Sequence, residues 1–198
     1  ADGAPDASHF RDIDANGVAV GQVVPDGVGE DRYGVVSFPD RSEMIDLETL
    51  LSTRPDYPDG WRLTLAYRIS DNLLISGYIR DLSGLIHTFA TQLIDNGPSV
   101  EPTVAWFRYF RPTEYGFDSD YGYLHDSSEA GEVLIAVEEG GSHVGNFLWD
   151  PITDTAIGPF VTCFAVNDAR KMVDRDQLVD GGSEDFAGLV NYRDDFQP

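Results

Sequence analysis

Asp12-Ile13-Asp14-Ala15-Asn16-Gly17 has the spacing that opens a calcium loop, with oxygen donors at the first, third and fifth positions and glycine at the sixth. Calcium prefers hard oxygen ligands, so Asp12, Asp14 and Asn16 are the candidate metal ligands of this chain. The twelfth position is Val23, which leaves out the acid that closes such loops. The same letters have a metal-free use, because Asp and Asn side chains cap tight turns by accepting backbone N–H groups.

A second constellation lies at 109–126. It interleaves Tyr109, Tyr115 and Tyr121 with Asp118, Asp120 and Asp126, and adds Phe110, Phe117 and Tyr123, Arg111 and Glu114. Sugars stack on aromatic rings and hydrogen-bond to carboxylates, so this pattern is how a carbohydrate-binding or glycosidase cleft is furnished. The competing reading is an insertion loop with rings turned inward and acids outward.

Other chemistry finds little support. His9, His87, His125 and His143 are scattered, and no Cys or His pair has the spacing of a zinc site. No glycine-rich phosphate loop opens a helix, and no nucleophile elbow is present. Cys163 is alone, so no intramolecular disulfide forms, and its run Phe160-Val161-Thr162-Cys163-Phe164-Ala165-Val166 reads as a buried, inert strand. No catalytic residue and no cofactor is expected, with calcium as the alternative.

The charge is extreme: 13 Lys+Arg against 35 Asp+Glu, a formal −22, with Lys171 the one lysine. The acids are spread along the chain, which fits a hydrated carboxylate surface adapted to saline water better than one dedicated cation or partner site. Nucleic acid is excluded as a partner, since no basic stripe exists to neutralise phosphates. No stretch is apolar enough for direct membrane insertion as a helix, and anionic bilayers would repel the chain. The start Ala1-Asp2-Gly3-Ala4-Pro5 looks like what remains after signal-peptide removal, so a secreted or cell-surface location is expected.

The elements that must carry these residues are short strands. Trp61-Arg62-Leu63-Thr64-Leu65-Ala66-Tyr67-Arg68-Ile69 alternates apolar and polar faces, as a half-buried strand does. Turn clusters such as Pro25-Asp26-Gly27, Pro58-Asp59-Gly60 and Glu139-Gly140-Gly141-Ser142 separate the strand-like runs, Val104–Phe110 among them. Helix is expected only near 47–52 and 169–178. With 41% hydrophobic residues in 198, the chain can bury a core without disulfide staples.

A phrase also repeats. Ile13-Asp14-Ala15-Asn16-Gly17-Val18-Ala19-Val20-Gly21 returns 56 residues later (69 − 13) as Ile69-Ser70-Asp71-Asn72-Leu73-Leu74-Ile75-Ser76-Gly77. Looser copies begin at Ala130 and Ala165. Each copy leads to a further apolar strand, among them His87-Thr88-Phe89, Met44-Ile45-Asp46-Leu47 and Phe147-Leu148-Trp149-Asp150. This pattern resembles the HAF repeats of bacterial extracellular proteins, over 9–93 and more loosely over 130–175. The resemblance implies small antiparallel sheets arrayed like propeller blades on a secreted protein, and brings no catalytic residues with it. It also sets His87 and His143 at equivalent repeat positions.

The expectation is therefore an all-β, antiparallel, propeller-like repeat array, with a β-sandwich or barrel as alternative. One domain over 1–198 is expected, with repeats at 9–60, 61–95, 124–160 and 161–190, an insertion at 96–123 and a C-terminal tail. The expected function is that of a non-catalytic structural or accessory protein that meets other protein chains, its own copies included, through 1–8, 96–123 and the tail from Asp180. Glycan binding or hydrolysis through 109–126, and calcium-dependent assembly, are the alternatives.

Overall fold

The computed structural model describes residues 7–25, 31–118, 122–128, 130–140, 142–160, 163–166, 171–174 and 189–191. The arm at 1–6 and the tail from Asp180, apart from 189–191, lie outside them. The fold is all-β, and the chain divides into two compact units, Ala1–Phe110 and Arg111–Pro198.

The first unit holds two four-stranded antiparallel meanders. One runs β1 (Ala7–Ile13), β2 (Ala19–Val24), β3 (Tyr33–Ser37), β4 (Ile45–Asp46) in sequence order. The other runs β5 (Arg62–Ile69), β6 (Leu74–Arg80), β7 (Ile86–Ile94), β8 (Thr103–Tyr109). Local hairpins fix this order, because each strand is followed by a turn and then by its own neighbour. β5 lies on β1, β2 and β3, so the two sheets share one core. Val20, Val36, Leu63, Ile75, Ile79 and Phe89 are fully buried there.

A one-turn helix, α1 (Leu47–Leu51), closes the side of this core. Asp46 caps it by accepting from Glu48 N at 2.8 Å, and Leu47, Leu50 and Leu51 are buried. A helix this short has no stability of its own, so its packed leucines hold it in place.

In the second unit, after a 3₁₀ turn at Pro112–Tyr115, β9 (Gly122–Ser127), β10 (Val133–Glu139), β11 (Ser142–Asp150) and β12 (Thr155–Phe160) form a third meander. β13 (Cys163–Val166), β14 (Lys171–Asp174) and β15 (Leu189–Asn191) form a fourth. β13 packs on β9 and β10. Leu134, Leu148, Phe160 and Val166 form one buried cluster of this unit. The described sheets are open, and none closes into a barrel.

Two sequence expectations need correction. The stretch 96–123 is not all insertion, because Thr103–Tyr109 is the edge strand β8, bonded to β7 from Phe89↔Tyr109 to Ile94↔Thr103. Helix is absent from the described part of 169–178, where Lys171–Asp174 pairs with both β13 and β15. Cross-strand pairing wins there over a weak local helical pattern.

Candidate functional site

Among the described residues, one five-residue turn is built four times. The first residue of the turn is Asp14, Ser70, Asp81 or Ser128. Its backbone N–H donates to the carbonyl of the fifth residue, Val18, Leu74, Leu85 or Glu132, at 2.9 Å in every case. Its side-chain oxygen accepts from the N–H of that same residue: Val18 to Asp14 at 2.8 Å, Leu74 to Ser70 at 3.1 Å, Leu85 to Asp81 at 2.9 Å and Glu132 to Ser128 at 3.2 Å. The fourth residue takes the left-handed conformation, at Gly17 (φ 83°), Leu73 (φ 61°), Gly84 (φ 90°) and Gly131 (φ 96°). Short polar side chains and glycine recur because the turn needs an acceptor at its start and positive φ near its end.

Asp14, Ser70 and Ser128 start the first hairpins of the first three sheets. A β-bulge lies three residues before each, at Arg11, Tyr67 and His125. The fourth sheet repeats it at Phe164, three residues before Asn167. The phrase read from the sequence is thus a structural unit of strand, bulge, turn and strand. The third strands match as well: Phe89 lies opposite Gly77 and Phe147 opposite Ile135, equivalent places in two sheets. His87 and His143 are not equivalent. His87 lies opposite Ile79, where the third sheet has Gly145 opposite Val137, and His143 falls beyond a further bulge opposite Glu138.

The sheets inside each unit are also clasped. Asp12 Oδ2 accepts from Ile69 N at 3.0 Å, joining β1 to β5. Asp126 Oδ2 accepts from Val166 N at 3.2 Å, joining β9 to β13. Asp12 and Asp126 both stand two residues before the turn residue, and Ile69 and Val166 both end the first strand of the following sheet. The corresponding residue of β5 is Arg68, which has no acceptor to offer.

These bonds account for the calcium-like residues. Asp14 Oδ1 accepts from Asn16 N and Val18 N, and Asp14 Oδ2 faces Asn16 Nδ2 at 3.4 Å. Asp12 Oδ1 accepts from Ile13 N, and Oδ2 is in the clasp. The Asn16 amide reaches the Asp71 carbonyl. Protein N–H groups already occupy the carboxylate oxygens. No group of three or more His, Cys, Asp or Glu able to hold a metal occurs among the described residues.

The residues of 109–126 are divided between the units. Tyr109 belongs to the first, where its ring meets Trp61 at 4.8 Å and His87 at 6.0 Å. Tyr115 belongs to the second, where its hydroxyl donates to Asp154 at 3.2 Å, as does Trp149 Nε1. Burial, then the Asp154 charge and hydrogen bond, push the Tyr115 hydroxyl well above its ordinary range. Phe117 packs on Phe147 at 4.7 Å, and Asp118 N donates to Glu139. Asp126 serves the clasp, while Asp120 and Tyr121 lie outside the described residues. Beside Asp126, His125 is held below its usual pKa by burial and then by His143, against the pull of Asp126.

Two features escaped the sequence reading. Asp81 Oδ2 pairs with His87 Nε2 at 3.1 Å, and the His87 ring stacks on Trp61 at 4.7 Å. Burial works to raise the Asp81 carboxyl, but bonds from Ser83, His87 and Leu85 outweigh it and hold it down at about 2. The second feature is a hollow of about 320 Å³ in the first unit, lined by Arg32, Arg80 and the largely exposed Arg62. Arg62 and Arg80 are direct partners across β5 and β6, a signal visible only once the register is known. No family model, no curated protein and no solved structure matches the chain.

Proposed function

We propose that this protein is a non-catalytic, extracytoplasmic repeat scaffold that acts by binding other protein chains, its own copies included. The observation that carries this reading is the duplicated clasp, Asp12 to Ile69 and Asp126 to Val166. A recurrent sheet-to-sheet joint spends polar side chains on holding modules together, as repeat bodies do when their surfaces are the working part. The recurring turn, bulge and third-strand phenylalanine make an internal repeat, and the HAF-repeat resemblance of the sequence alone carries the proposed secreted or cell-surface location.

The contact surface is assigned to segments outside the repeated hairpins. In the first unit, 101–104 runs beside 49–55 around an open groove of about 510 Å³. Val100 and Ile94 stand about half exposed near it, at 54% and 50%. Aromatic and apolar groups of this kind form interface cores, with the abundant acids as rim.

Light scattering on the full chain and on a chain lacking 180–198 tests the proposal. The full chain should form complexes with itself or with a partner from its native extract, and the truncated chain should do so less. A full chain that stays monomeric, captures no protein and instead cleaves a glycan would overturn it.

A further inference from the structure

We infer that the hollow between α1, β5 and β6 is a binding site for a small hydroxylated monocarboxylate, of the sugar-acid class. Three of the chain's guanidinium groups, Arg32, Arg62 and Arg80, line one cavity in a protein of net charge −22. Arg62 and Arg80 are opposed on neighbouring strands, and like charges placed so repel. An anion between them turns that cost into attraction.

The neighbouring acids do not relieve all three arginines. Glu48 receives Leu63 N at 3.0 Å through Oε2, and its Oε1 lies 3.5 Å from Arg62. Asp46 is bound to the cap of α1. The side chains of Arg32 and Arg80 make no hydrogen bond or ion pair with a described residue, and the Nε of each is buried without a partner. A buried N–H without an acceptor is costly, and a carboxylate satisfies a guanidinium fork two bonds at a time.

The rest of the lining selects among anions. Asp31, Asp46 and Glu48 balance the three arginines in formal charge, so a dianion such as phosphate is repelled more than a carboxylate. Thr49, Ser52 and Thr64 add hydroxyls, and the lining carboxylates accept from ligand hydroxyls. A ligand with one carboxylate and several hydroxyls answers both halves of this lining. A cavity of about 320 Å³ is of the size that small ligands fill.

Calorimetric titration of the full chain with D-glucuronate, glucose and inorganic phosphate at matched ionic strength tests the assignment. Glucuronate should bind saturably, and glucose and phosphate at least about tenfold more weakly. Arg80→Gln, with an unchanged circular dichroism spectrum, should weaken glucuronate binding at least about tenfold, and Arg80→Lys should recover it only in part, since lysine lacks the planar fork. Should Arg80→Gln fail to fold, the ligand ranking on the unaltered chain decides. No glucuronate binding, glucose or phosphate binding of equal strength, or a folded Arg80→Gln chain with unchanged affinity would each overturn the assignment.

Discussion

Ala15 donates its backbone N–H to the carboxylate of Asp71 at 2.8 Å, across 56 residues of chain, and that separation is the repeat period itself. Each residue is the second position of its own five-residue turn, so the two turns meet like on like. The bond adds to the Asp12–Ile69 clasp a few residues away. Together they tie the first hairpin of one sheet to the first hairpin of the next.

The clasp should be worth measurable stability. A hydrogen bond from a partly buried backbone N–H to a carboxylate contributes about 1.5–3 kcal/mol, and its loss leaves the N–H unpaired. Asp12→Ala should therefore lower the unfolding free energy of the first unit by about 1.5–3 kcal/mol in urea titration. Asp126→Ala should do the same to the second. If either variant unfolds at the parent's urea midpoint, the clasp is ornamental.

Gly21 and Gly77 end the repeated phrase for a steric reason. A Cβ on Gly21 would lie 2.1 Å from the His9 carbonyl oxygen, and one on Gly77 would lie 2.0 Å from that of Leu65. His9 and Leu65 are themselves 56 residues apart (65 − 9), so one close approach is made twice. Backbone cannot yield as a side chain can. Gly77→Ala should cost at least about 3 kcal/mol, the scale of a forced backbone shift. Gly84→Ala meets nothing within 4 Å and bears only the strain of φ 90°, about 1–2 kcal/mol. Thermal melts of the two variants should differ widely, and equal losses would refute the steric account.

The hairpin phrase was legible because the turn, the bulge and the close approach each demand particular residue types. Asp14, Gly17 and Gly21 are such demands. The meander order appears only in the structure, where each strand pairs with the next one in the chain. The clasp was not legible, because Asp12 and Asp126 look like any surface acids until the next sheet brings a backbone N–H to them. The calcium-like spacing at Asp12, Asp14 and Asn16 arose from the same fact, since a turn cap and a calcium loop ask for the same letters. Strand β8 was legible as the apolar run Val104–Phe110, but its place beside β7 was not, because that run lies outside the repeated phrase. The arginine hollow depends on the register that sets Arg62 against Arg80, which no local pattern encodes.

Asp81 should make part of the stability depend on pH at the acid end. Its carboxyl titrates at about 2 in the folded chain, below the roughly 4 of an unfolded aspartate. The contribution is then fully present above about pH 4 and is lost as the pH falls through about 2. Urea midpoints of the parent and of Asp81→Ala should differ most at pH 5–7 and converge near pH 2. A gap that stays constant across this range would show that the lost packing and not the charge matters.

The acid surface makes the last prediction. With 35 acids against 13 bases, like charges meet far more often than opposite ones, and folding concentrates them. Sodium chloride shortens the reach of that repulsion to about 3 Å at 1 M, so melting temperature should climb with salt. Calcium chloride at the same ionic strength should act through the same screening, because the oxygens of Asp12 and Asp14 are already committed to N–H donors. Melts in the two salts should therefore overlay when plotted against ionic strength. A sharp rise at low calcium, absent with sodium, would mean that the chain holds a specific site and that assembly through calcium has to replace screening as the account of its charge.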